Sequence, residues 1–151
     1  MKRVALLSLV LIAVLLTGCS PRLEFSITPN PISVTFETEE IELEAKVKMY
    51  GFGSYKIEQA ALEILDDQGE PVFEEPKVYD INKTVTVVPL GSIGKPVPLA
   101  RVGMSDLYDE ILDGEELSEE LYDELKGKTY TIKITLTGTG NPSSQAKLEF
   151  K

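Results

Sequence analysis

The chain has 151 residues with 15 basic and 25 acidic side chains, a net charge of −10 at neutral pH, no histidine, no tryptophan and one cysteine. Such acidity argues against nucleic acid and against anionic lipid as a binding surface, because both reward Lys and Arg. The missing histidine removes the commonest general base and metal ligand, and a lone cysteine makes no disulfide within the chain and no cysteine metal site.

The chain opens with Lys2 and Arg3, followed by an apolar run from Val4 to Leu16 that only Ser8 interrupts. That run is too short to span a bilayer, which needs roughly 20 residues. Charged start, apolar centre and small residues at Thr17 and Gly18 have the plan of a secretory signal peptide. Its ending, Leu16-Thr17-Gly18-Cys19, resembles the lipobox of bacterial lipoproteins. The resemblance implies cleavage after Gly18, a diacylglyceryl group on the Cys19 sulfur and acyl chains such as palmitate. Two or more chains hold a protein stably at a membrane, where one does not. The implied location is the cell envelope, facing away from the cytoplasm. Ser20 stands where an inner-membrane retention aspartate would stand in Gram-negative lipoproteins, which implies the outer membrane in such a cell. Removing residues 1–18 leaves 133 residues, 13 of them basic and 25 acidic, so the mature charge is about −12. Residues 19–22 are then a minimal lipidated tether and residues 23–151 one domain, long enough to bury a core of its own.

Leu23–Thr28 is a short strand candidate stopped by Pro29-Asn30-Pro31. Ile32, Val34 and Phe36 follow with period two. Ile41, Leu43, Ala45, Val47 and Met49 alternate with Glu42, Glu44, Lys46 and Lys48, the pattern of a strand with one buried and one wet face. Gly51-Phe52-Gly53-Ser54 breaks it. Tyr55–Leu65 reads as another strand whose frame slips, since Ile57 is out of phase with Ala60, Leu62 and Ile64. A bulge near Gln59 is expected. Asp66-Asp67-Gln68-Gly69 is a turn, Pro71–Val78 a Pro-bounded edge strand, and Lys83–Val88 a strand with Val85 and Val87 facing in. Leu90–Gly103, with three Gly and two Pro, reads as a crossover loop.

From Ser105 to Lys126 the period changes. Leu107 and Ile111 are four apart, as are Leu117, Leu121 and Leu125, which is helical spacing. Ser105 is the expected cap of the first helix, and Asp113 with Glu116 that of the second. Gly114 divides the two and Gly127 ends the segment. Tyr130, Ile132, Ile134 and Leu136 then alternate with threonines and Lys133, residues 138–142 turn, and Ala146, Leu148 and Phe150 alternate to the end.

Many short period-two strands with one helical insert at about 105–126, before the last two strands, predict an all-β, immunoglobulin-like antiparallel sandwich. The final pair resembles strands F and G of immunoglobulin and fibronectin type III domains, with Tyr130 where those domains place a tyrosine whose hydroxyl bonds back to the preceding corner. The Cys–Trp–Cys core signature is absent. The order of elements also resembles the LEA14-like (WHy) domains, on Val88-Pro89, the helices of Ser105–Lys126 and Tyr130-Thr131-Ile132-Lys133-Ile134. That family places its Asn-Pro after the strand equivalent to Ile41–Met49, whereas Asn30-Pro31 precedes it here. This resemblance implies stress protection and no catalytic residues.

The most distinctive surface is acidic: Asp106, Asp109, Glu110 and Asp113 on one ridge, then Glu116, Glu119, Glu120, Asp123 and Glu124 on a second. Like charges at helical spacing destabilise a helix by a few tenths of a kcal/mol each, so leucine packing, cations or a basic partner must offset them. A solvated, solubilising face is the plain reading, and a docking surface for a basic protein the sharper one. The Asp66–Gly69 turn lacks the ligand order of a calcium loop, and no Gly-x-Ser-x-Gly elbow occurs. Tyr50, Phe52 and Tyr55 are expected to cover one end of the core. The sequence thus predicts a lipid-anchored, non-catalytic binding module without cofactor or metal. A LEA14-like protective or structural envelope protein without a specific partner is the alternative, and a carboxylate hydrolase a more distant one.

Overall fold

The computed structural model describes residues 21–51, 53–87 and 96–151. The expected signal peptide at 1–18, the expected lipidation site Cys19, Phe52 and the Val88-Pro89 pair lie outside the described residues. Among the described residues, eight strands and two helices follow in chain order: β1 (Arg22–Thr28), β2 (Ile32–Val34), β3 (Glu40–Tyr50), β4 (Gly53–Leu65), β5 (Lys77–Val87), β6 (Val97–Gly103), α1 (Met104–Ile111), α2 (Glu119–Leu125), β7 (Thr129–Gly138) and β8 (Ser143–Phe150). They form two sheets, one ordered β1-β3-β6 and the other β2-β8-β7-β4-β5. Named in the immunoglobulin manner, these are sheets ABE and A′GFCC′ of an all-β sandwich, with the helical insert between E and F.

Alternation builds the layers. Strand β3 buries every second residue from Ile41 to Met49 and exposes the rest. Facing it, β4 and β7 contribute Leu62, Ile64, Ile132, Ile134 and Leu136, each wholly buried. Complete burial of one such side chain is worth about 1.5–3 kcal/mol, and one continuous core joins both sheets. The expected slip in β4 is present: pairing with both neighbours shifts register between Ile57 and Gln59.

The chain changes sheets at Pro29-Asn30-Pro31. β1 runs antiparallel to β3, then β2 pairs parallel with β8 in the other sheet. Both X-Pro bonds here are cis, and the Asn30 side-chain oxygen accepts a hydrogen bond from the Lys147 N–H at 3.2 Å. One side of the sandwich is thereby closed by its own chain.

Three expectations need correction. Pro71–Val78 and Lys83–Val88 are not two strands. Pro71 makes a single bridge to Leu65, and Lys77–Val87 is one edge strand with Asn82 at φ 48° in its middle. The predicted loop Leu90–Gly103 contains β6, which pairs with β3 and buries Val97, Leu99 and Val102. Pro98 is tolerated because β6 is an edge strand, and register shifts beside it, between Leu43 and Glu44. The helix caps also differ. α1 starts from Gly103 without a side-chain cap, and Ser105 lies inside it. α2 is capped by Ser118, whose hydroxyl oxygen accepts from the Leu121 N–H at 3.2 Å. Asp113 instead holds φ 53° in the turn after α1, beside Gly114 at φ 80°, and Gly127 at φ 87° follows α2 as expected.

The tyrosine corner is replaced rather than absent. Tyr130 packs edge-to-face on Phe150, with ring centres 5.6 Å apart. The hydroxyl that ties the insert back to the strands belongs to Tyr122. It lies 2.8 Å from the Val34 carbonyl oxygen and 2.9 Å from the main-chain oxygen of Lys151, so its one proton serves two acceptors.

Candidate interaction surface: the acidic insert

The insert sits at the end of the sandwich where β2 and β8 finish, and aromatic rings seat it. Leu107, Tyr108, Tyr122 and Leu125 are buried, whereas Leu117, Leu121 and Ile111 are only half-buried. Phe150 is the hub, with Tyr108, Tyr122 and Tyr130 ring centres at 6.3, 6.0 and 5.6 Å. Tyr108 has a buried hydroxyl with no hydrogen-bond partner among the described residues. Burial, with a smaller contribution from Tyr122, pushes its phenol up to about 12.

All nine candidate acidic residues are exposed, and they do not form two regular ridges. Asp106, Asp109 and Glu110 lie on α1 and Glu119, Glu120, Asp123 and Glu124 on α2, while Asp113 and Glu116 lie in the link between the helices. Asp106 pairs with Lys77 at 3.1 Å and Asp123 with Lys126 at 2.5 Å. That hydrogen bond to Asp123 is the main reason the Lys126 ammonium is held above its ordinary value. Among the described residues, Asp109, Glu110, Asp113, Glu116, Glu119, Glu120 and Glu124 have no cation within salt-bridge distance. With two of nine charges paired on the protein, most of the repulsion is left to solvent, salt or a partner.

Beside α2 opens a cleft of about 490 Å³. One wall is the β2–β3 connection, with Phe36 and Glu37; the other is α2, with Glu119, Tyr122, Asp123 and Lys126. Phe36 is 42% exposed and meets the Tyr122 ring edge-on at 5.6 Å. Its loop is held by Thr35 and Thr38: the Thr35 N–H donates to the Thr38 hydroxyl oxygen at 2.9 Å and the Thr38 N–H to the Thr35 carbonyl at 3.0 Å. Sequence reading missed this wall, because Phe36 is distant from the insert along the chain and reads as a strand residue. The one available signal was an aromatic just past the end of a period-two run.

Other chemistry is sparse. The described residues hold no group of three or more acidic or cysteine side chains placed to bind a metal. In the Asp66–Gly69 turn the Asp66 side chain accepts from the N–H groups of Gln68 and Glu70 at 2.9 and 2.8 Å, a backbone-turn role. A serine three residues before a lysine occurs twice. Ser92 and Lys95 lie outside the described residues; Ser144 and Lys147 lie on β8, where residues three apart face opposite sides and make no dyad. Tyr55 covers the core as expected, accepting a hydrogen bond from the Gly140 backbone, but Tyr50 does not: it is half exposed. No described helix is long and apolar enough to cross a membrane.

The chain matches no known family model and no curated protein. It is similar in shape to several solved structures. A protein from Archaeoglobus fulgidus aligns at 14% identity and a TM-score of 0.44, over 85% of this chain and 91% of that one. The sporulation control protein Spo0M from Bacillus subtilis aligns at 10% identity and 0.39, over 87% of this chain and 49% of that one. A β-glucuronidase from Parabacteroides merdae aligns at 16% identity and 0.28. This chain spans only 13% of the glucuronidase, and about half of Spo0M.

Proposed function

We propose that the protein is a lipid-anchored lipoprotein of the cell envelope, in the outer membrane where there is one. On this reading it is a non-catalytic binding module that docks a basic protein on its acidic insert. The observation that carries this reading is the set of seven exposed carboxylates of the insert with no cation in salt-bridge reach among the described residues, of which Glu119 lines a cleft edged by the exposed ring of Phe36. Such a surface offers a cationic partner charge for steering and an apolar edge for adhesion. The lipobox at Leu16–Cys19 and the few residues between Cys19 and β1 support anchorage close to the bilayer.

The test is a crosslinking capture from native membranes with the lipidated protein, beside a variant carrying amides at Asp106, Asp109, Glu110, Asp113, Glu116, Glu119, Glu120, Asp123 and Glu124. One basic partner held by the parent, released by added salt and lost by the variant is the expected result. Identical background from both baits refutes docking by the insert and favours a protective or structural role without a specific partner.

A further inference from the structure

The two ends of this sandwich differ in chemistry. β1 begins with Arg22, which pairs across the sheet with Tyr50 at the end of β3. The β3–β4 turn, whose Gly53 lies opposite Val87, and the β7–β8 turn, whose Gly140 meets Tyr55, belong to the same end. The other end of β3 is Glu40, which pairs with Gly103 where α1 starts. β3 therefore runs from the pole that carries the insert to the pole where β1 begins. Eleven residues of strand separate them by about 33 Å.

At the first pole the charges are balanced or basic. Arg22 pairs with Glu24 at 3.0 Å and Lys56 with Glu58 at 2.7 Å, while Lys46 and Lys48 add cations on the outward face of β3. Tyr50 stands here 49% exposed, although its neighbour Met49 is buried. At the opposite pole lie the nine acidic residues of the insert together with Glu115, Glu37, Glu39 and Glu40. The domain is thus an electric dipole aligned with β3, laid over a negative net charge.

We propose that the anchored domain stands on the bilayer on the Arg22–Tyr50 pole. Tyr50 lies in the headgroup region of a glycerophospholipid surface and the acidic insert points away from it. This rests on the anchorage of Cys19 proposed above. From Cys19 to Arg22 the chain can reach at most about 11 Å, so the pole that begins β1 cannot leave the surface. Net negative charge repels the domain from anionic headgroups, and the dipole turns that repulsion into orientation: the insert is pushed outward and the lysine-bearing end is the one tolerated. An exposed tyrosine at the same end suits the interface, where its ring is half in hydrocarbon and its hydroxyl wet.

The test uses the mature lipoprotein in vesicles of phosphatidylcholine with a minority of phosphatidylglycerol, containing headgroup spin-labelled lipid. Ser54→Cys and Glu115→Cys, one at each pole, carry an environment-sensitive fluorophore. The Ser54 label is expected to be quenched several-fold more than the Glu115 label, and Tyr50→Asp in the Ser54→Cys background to reduce that quenching. Equal quenching at the two poles, more at Glu115, or no response to Tyr50→Asp overturns the inference. Intact mass and vesicle flotation read the anchor separately. A protein that floats but is quenched equally refutes the orientation alone, and one that carries no lipid and does not float refutes the anchor and the orientation together.

Discussion

One substitution at two tyrosines should have opposite effects. Tyr122→Phe and Tyr108→Phe each remove a single oxygen from a buried ring, 2% and 5% exposed, in the same aromatic cluster. At Tyr122 the oxygen is bonded to two carbonyls. Val34 O keeps its bond from the Lys151 N–H at 2.9 Å, so the loss is one shared hydrogen bond and not an orphaned acceptor. That costs about 1–1.5 kcal/mol. At Tyr108 the hydroxyl has no partner among the described residues, and a buried orphan of that kind costs about 1–3 kcal/mol to keep. Removing it recovers part of this cost, less a small void, for a net gain of about 0.5–1 kcal/mol. The assay is urea unfolding of the domain from residue 20 onward, with midpoints compared at constant slope. In parallel thermal melts of a domain of this length the midpoint temperatures of the two variants should separate by roughly 5 °C or more. Equal destabilisation by both variants would mean that Tyr108 has a partner and that the reasoning from its isolation is wrong.

Three further outcomes follow from the same structure. Ser118→Ala should lower stability by about 1 kcal/mol through loss of the α2 cap, while Ser105→Ala, inside α1, should be nearly silent; thermal melts compare them. Gly138→Ala places a methyl 2.0 Å from the Lys56 carbonyl oxygen at φ 148°, and should cost more than about 2 kcal/mol by chemical unfolding. The Tyr108 phenol is raised from 10.0 to about 12 in the folded state, so its contribution is complete below pH 10 and is lost as pH climbs through 12. Parent stability should fall by up to about 2–3 kcal/mol more over that window than that of Tyr108→Phe, read as the difference between two unfolding series.

How much of this was legible beforehand depended on whether neighbours in sequence carried the signal. The strict alternation of β3, the slip at Gln59 and the glycine stops at Gly114 and Gly127 are local patterns, and the structure keeps them. β6 was hidden because its apolar residues, Val97, Leu99 and Val102, follow a run of Gly and Pro and carry Pro98 on an edge. The α2 cap was misplaced because Asp113 with Glu116 has the spacing of a cap, while Ser118 has the position. The cleft was illegible for a different reason. It needs the Thr35–Glu37 turn to return beside α2, where the Tyr122 hydroxyl bonds to Val34 and Lys151 and the Phe36 ring meets that of Tyr122. The acidic residues themselves were plain in the sequence, but not that two of them lie off the helices and two are neutralised.

The switch of the first strand between sheets has a mechanical consequence. β1 leaves the Arg22–Tyr50 pole and runs toward the acidic end, hydrogen-bonded along its length to β3, and its continuation β2 is bonded to β8 in the other layer. On the proposed anchorage, tension between the lipid and a partner held at the insert pulls along these strands, not across them. The rungs of both ladders then bear the load together, in shear, and the two layers share it. A tether on an edge strand that peeled sideways would open one rung at a time. The Pro29-Asn30-Pro31 crossing that carries the chain from one layer to the other is therefore what couples both ladders to such a pull.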